Sequence, residues 1–113
     1  MERDLTAAEQ AILARLLESS FPGAAELRHQ AVQARVVDEE DQTIDLEVPH
    51  TLPPAPVNRR IPVEAFFEDS DRTVVHVLLH VVGGYLNELE VYKEDNSPVL
   101  VTIEPNRLSV EVY

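Results

Sequence analysis

Apolar residues dominate from Val74 to Val82, broken by His76 and His80, and recur from Tyr85 to Tyr92 among Asn87, Glu88 and Glu90, with Gly83–Gly84 between the two runs. The β-branched residues of the first run and the aromatic and aliphatic residues of the second predict two strands, Thr73–Val82 and 85–92, joined by a two-residue turn. Such a turn needs positive φ at both central positions, which two glycines supply. A turn centred there pairs Val82 with Tyr85, His80 with Asn87, Leu78 with Leu89 and His76 with Val91 on one face. On the other face Val81 meets Leu86, Leu79 meets Glu88 and Val77 meets Glu90. Neither face is wholly polar, so the hairpin is expected at the centre of a sheet with cover on both sides.

Upstream the period is helical. Ile12, Leu13, Leu16 and Leu17 make one apolar stripe, and Thr6–Ala7–Ala8–Glu9 reads as the capping box that opens the helix. Phe21–Pro22–Gly23 stops it, and a second, shorter helix is expected from Ala24 to about Gln30. Alternation then returns. Val32, Ala34 and Val36 share a face with Ile44, Leu46 and Val48 across a turn at Asp38–Glu39–Glu40–Asp41–Gln42, which predicts a hairpin with one wet face. Five of the eight prolines fall between Pro49 and Pro62, so that stretch is expected to be an extended strap without ladder donors, carrying Arg59 and Arg60. Val63–Glu68 reads as a strand, and Val99–Ile103 and Leu108–Val112 as two short ones. A helix followed by antiparallel strands predicts an α+β fold, one domain over residues 1–113, with one or two N-terminal helices packed on a twisted, mainly antiparallel sheet built from hairpins.

Composition narrows the function classes. The 113 residues include no cysteine, so neither disulfides nor thiolate-bound zinc is available and a hydrophobic core must hold the chain. No apolar run is long enough to cross a bilayer, and no export signal precedes the first helix, which together favour the cytoplasm and no membrane contact. With 21 acidic against 9 basic side chains the net charge is −12. No basic stripe exists to displace counterions from phosphates, so nucleic acid is not an expected partner. A basic protein is, because opposite charge steers encounter. The run Asp38, Glu39, Glu40 and Asp41 is the candidate patch for its arginines, since guanidinium and carboxylate pair bidentately. A solvated hairpin tip is the plainer reading of the same run.

The candidate polar cluster is His76, His80, Asn87, Glu88 and Glu90 on the central hairpin. His76 and His80 have the spacing that joins two imidazoles on one helical face. On a strand, however, four residues span roughly 13 Å, so one metal cannot bind both, and neither a metal nor a cofactor is expected. Glu88 and Glu90 fall opposite apolar partners in the simple register, where a carboxylate is a candidate general acid or base unless a cation meets it. Arg59 and Arg60 are the candidate cations. No GxSxG, cysteine nucleophile or phosphate-cradling glycine loop is present, and no residue is assigned as catalytic.

Several of these segments carry a resemblance. Leu5–Thr6 with Glu9, Ile61–Pro62–Val63–Glu64, Glu68–Asp69–Ser70–Asp71 and above all Gly84–Tyr85–Leu86–Asn87–Glu88–Leu89–Glu90–Val91–Tyr92–Lys93–Glu94–Asp95 resemble a widespread family of small uncharacterised bacterial proteins with a GYLxELEIYRxDG-P signature. Arg72 and Asn96–Ser97 depart from it, standing where that family tends to have glycine after aspartate. Asn suits such a turn position better than Arg does. The resemblance implies a small α+β domain, some of whose relatives resemble toxin-immunity proteins. The expected function is therefore non-enzymatic: an acidic binding module, immunity-type or regulatory, for a basic partner. The alternatives are a small enzyme or ligand-binding domain using Glu88, Glu90 and His80, and a structural homodimer joined through a sheet edge or face.

Overall fold

A computed structural model describes residues 2–113. Its elements are β1 (Arg3–Asp4), α1 (Ala7–Leu17), α2 (Ala24–Ala31), β2 (Arg35–Glu40), β3 (Thr43–Glu47), β4 (Val63–Glu68), β5 (Val74–Val82), β6 (Tyr85–Lys93), a 3₁₀ turn at Pro105–Arg107 and β7 (Ser109–Val112). All strand pairs are antiparallel, and the seven strands lie in the order β1-β2-β3-β6-β5-β4-β7. This is the α+β architecture expected, with the Gly83–Gly84 hairpin at the centre.

The capping box forms as its residue types demand: the Glu9 amide donates to Thr6 Oγ1 and the Thr6 amide donates to Glu9 Oε1. Ile12, Leu13, Leu16 and Leu17 are buried in one core with Val63, Ala65, Val75, Val77, Leu79, Val81, Leu86 and Leu89 of the sheet. The helix ends at Leu17, before Pro22, and Gly23 with φ +93 turns the chain into α2. Val32 does not join the strand expected of it: it caps α2 and is 84% exposed, while Ala34 and Val36 are buried. Val99–Ile103 is likewise not a strand. Bracketed by Pro98 and Pro105, it has no ladder partner and bends at Val101, packing Val99, Val101 and Ile103 onto the core.

The central hairpin departs from the simple register. Gly83 and Gly84 have φ +60 and +86, and Val82–Tyr85 and Val81–Leu86 pair as expected. Asn87 is then an extra residue, and the partners beyond it are His80–Glu88, Leu79–Leu89, Leu78–Glu90, Val77–Val91 and His76–Tyr92. The cause lies in the side chains. Strict alternation from Leu86 would bury Glu88 and Glu90 against Leu79 and Val77, whereas one bulged residue turns Leu89 and Val91 inward and both glutamates outward. Cover on both sides is also not what forms. Val75, Val77, Leu79 and Val81 are buried against the helices, but His76, Leu78 and His80 on the other face are only half-buried.

The strap is held by the hairpin tip. Tyr85 donates its hydroxyl to Leu52 O at 2.9 Å and stacks on His50 with ring centres 4.0 Å apart. The Ala55 amide donates to Gly84 O at 2.7 Å, and the Val81 amide to Arg60 O at 2.7 Å. Beneath them Gln30, fully buried in α2, donates Nε2 to Pro53 O and Gly84 O and accepts the Leu86 amide on Oε1. Every hydrogen-bonding group of that amide side chain is used at the point where helix, strap and hairpin meet.

Candidate functional site

The face turned away from the helices presents a lateral row of acids. Asp38 lies opposite Asp45, Asp45 opposite Glu88, and Glu88 opposite His80, across β2, β3, β6 and β5. Like charges directly opposite on neighbouring strands repel. A shallow cleft between them is lined by Asp38, Glu39, Glu40, Thr43, Asp45 and Glu88. The next row toward the other edge pairs Glu90 with Leu78, Leu78 with Glu64 and Glu64 with Glu111. Leu78 thus lies between Glu90 and Glu64, and in the row beyond it His76 lies between Phe66 and Tyr92.

The two histidines of β5 sit on this face in different company. His80 receives Arg60 Nε–H on Nδ1 at 2.9 Å, and its Nε2 lies 2.8 Å from Glu90 Oε1. Because arginine can only donate, Nδ1 carries no proton, and the ring is the neutral tautomer that donates Nε2–H to Glu90. His76 has a carboxylate on each nitrogen, Glu64 at 2.8 Å from Nδ1 and Glu94 at 2.6 Å from Nε2. Ionised carboxylates only accept, so both ring nitrogens donate and the ring is an imidazolium. Burial alone would lower the His76 pKa, but its bonds to Glu94 and Glu64 outweigh burial and the net direction is up. Tyr92 stacks on the cation at 4.8 Å, and Tyr113 donates its hydroxyl to Glu64.

The expected polar cluster is therefore assembled in part. His80, Glu88 and Glu90 converge, with one ligand-type atom from each within 4.8 Å of the others. His76 belongs to a separate group with Glu64, Glu94 and Tyr92, and Asn87 is the exposed bulge residue. Glu90 meets His80 rather than an arginine, and Arg60 reaches the pair through the imidazole. The run at residues 38–41 is also divided. Glu39 is drawn off by Arg3, whose Nη2 lies 2.9 Å from its Oε1, while Asp38 joins the row on the open face. Asp41, with φ +51, makes the turn itself.

The segment Gly84–Asp95 ends in a buried ion pair. Lys93 is buried with its Nζ 2.9 Å from Asp69 Oδ2 and 2.7 Å from Asp71 Oδ2. Burial works against the Asp69 carboxylate, yet the Leu100 amide, the Lys93 ammonium and the Ser70 amide hold its pKa down to about 2. The residues sequence reasoning missed are Gln30 and this Lys93–Asp69 pair. Gln30 had a signal, being the polar member of the Ala24–Leu27–Gln30 face. A largely apolar groove lined by Leu5, Leu13, Leu17, Ala31 and Val32, with Glu18 and Arg28 also on its walls, lies on the helical side, apart from the Asp38–Asp45–Glu88 row.

Fold and surface together define an α+β protein with one helix-covered and one acidic sheet face. A family model described as a domain of unknown function, DUF6984, matches residues 2–103, and the chain belongs to that family. Neither a curated protein nor a solved structure matches the sequence. No helix among the described residues is long and apolar enough to cross a membrane.

Proposed function

We propose that the chain is a non-enzymatic binding module, cytoplasmic and of the immunity or regulatory kind found in bacteria, whose open sheet face receives a basic protein. The observation that carries this reading is the row Asp38–Asp45–Glu88, three carboxylates on three adjacent strands with no cation paired to them among the described residues. Placing them together costs stability. A cationic partner recovers that cost, and the half-buried Leu78, Phe66 and exposed Tyr92 beside the row supply apolar contact within a polar rim.

The test uses charge reversal by position. Asp38→Lys with Asp45→Lys should abolish capture of a basic partner from the native host, and Glu18→Lys with Glu26→Lys on the helices should leave it intact. Capture by wild type should fall steeply above about 0.3 M salt, where the Debye length is well under 10 Å. Capture that survives the sheet-face reversal, or that depends equally on the helical acids, would reject the reading.

A further inference from the structure

We propose that His80, Glu88 and Glu90 bind a divalent transition-metal ion of the zinc type. One donor atom from each residue lies within 4.8 Å of the other two, and His80 Nε2 is already 2.8 Å from Glu90 Oε1. Zinc bonds of about 2.0–2.2 Å at tetrahedral angles space neighbouring donors by about 3.4 Å, so side-chain rotation alone closes the set. The donors select the ion: one imidazole with two carboxylates suits zinc and its neighbours, whereas magnesium and calcium take oxygen.

The backbone under these ligands is built for convergence. The bulge at Asn87 is what sets Glu88 directly opposite His80, and Glu90 follows on the same face. All three ligands sit on paired central strands, which hold a site more tightly than loops do. His80 has a side chain only 12% exposed and Glu90 one of 35%, so the site is partly desolvated but open to an entering ion. Glu88 has neither an ion-pair nor a hydrogen-bond partner among the described residues. Its cross-strand neighbour is Asp45, so a dication meets uncompensated negative charge.

Arg60 gives the site its second distinctive property. Without metal its Nε–H occupies His80 Nδ1, which places the ring proton on Nε2. Metal at Nε2 needs that lone pair, so the proton moves to Nδ1 and the imidazole stays neutral. Nδ1 then no longer accepts, and the Arg60 side chain must turn away. Its guanidinium therefore competes with the ion, although the backbone bond from the Val81 amide to Arg60 O keeps the strap in place.

The inference does not rest on a protein partner and is tested with the chain alone, by titrating zinc chloride into it calorimetrically and following the visible spectrum with cobalt(II). The expected result is one ion per chain with a tetrahedral-type cobalt spectrum. Glu88→Gln, Glu90→Gln and His80→Gln should each weaken binding at least about tenfold, while Arg60→Ala should tighten it and His76→Gln should leave it unchanged. Glu88→Gln removes no contact of the fold, so its loss of binding cannot be assigned to unfolding, and far-UV circular dichroism checks the others. Absence of zinc binding, binding indifferent to Glu88→Gln, or binding lost with His76→Gln instead would overturn the site. Weaker zinc binding by Arg60→Ala would overturn the competition.

Discussion

At the residue scale, three positions show how local chemistry and tertiary demand were reconciled. Arg72 has φ +71 and Asn96 φ +62, both in turns that follow aspartates. The left-handed region costs a non-glycine residue about 1–2 kcal/mol, more than the extra chain entropy glycine brings to the unfolded state. Arg72→Gly is therefore expected to raise stability by about 0.5–1 kcal/mol, read as a higher urea midpoint at unchanged slope; a lower midpoint would show that the Arg72 side chain holds something its backbone angle does not reveal. Gln30 has the opposite sign. Gln30→Met strands the buried Leu86 amide and takes the donor from the Pro53 carbonyl of the strap, although Gly84 O keeps the Ala55 amide. The expected loss is about 2–4 kcal/mol in chemical denaturation, with Gln30→Glu worse because it turns an acceptor toward two carbonyls. The departure at Arg72 was legible in the sequence as a missing glycine. For Gln30 the sequence carried only its place on the Ala24–Leu27–Gln30 face and not its partners, which lie 23 to 56 residues away.

Among the elements, those defined by local chemistry were the readable ones. The capping box of α1, the Gly83–Gly84 turn and the proline-bound strap each depend on neighbours in the chain, and each formed where its residues placed it. The bulge in β6 was not readable, because one extra residue leaves composition and approximate alternation intact and is decided by which side chains the opposite strand accepts. Its consequence reaches the site: with Asn87 set aside, Glu88 and Glu90 leave the core and join His80. The histidines of β5 illustrate the same limit, since their charge depends on Arg60, Glu64, Glu90 and Glu94 from other segments. His76 has a raised pKa when folded, so its stabilising contribution is complete below the unfolded value near 6.5 and is lost as pH rises through the folded one. Thermal scans from about pH 6 to pH 9 should thus show the advantage of wild type over His76→Gln shrinking as pH rises; an advantage that grows would mean the ring is held neutral.

For the molecule as a whole, the α+β architecture followed from the order of helical and alternating patterns, but the division into one covered and one open sheet face did not. Both faces of the central hairpin looked apolar enough to bury, and only the assembled registers show carboxylates gathered along one of them. The open face is claimed to carry charge for a partner rather than for the fold, and that claim has a direct consequence for stability. Asp45 stands between Asp38 and Glu88, so Asp45→Asn removes two repulsive cross-strand pairs while nearly preserving shape. The decisive measurement is the equilibrium denaturation of Asp45→Asn against wild type at low salt and neutral pH. The account predicts a variant more stable by about 0.5–1 kcal/mol, with the difference shrinking as salt is added. A variant less stable than wild type would show that the carboxylate row serves the fold, and would remove the ground for a docking face there.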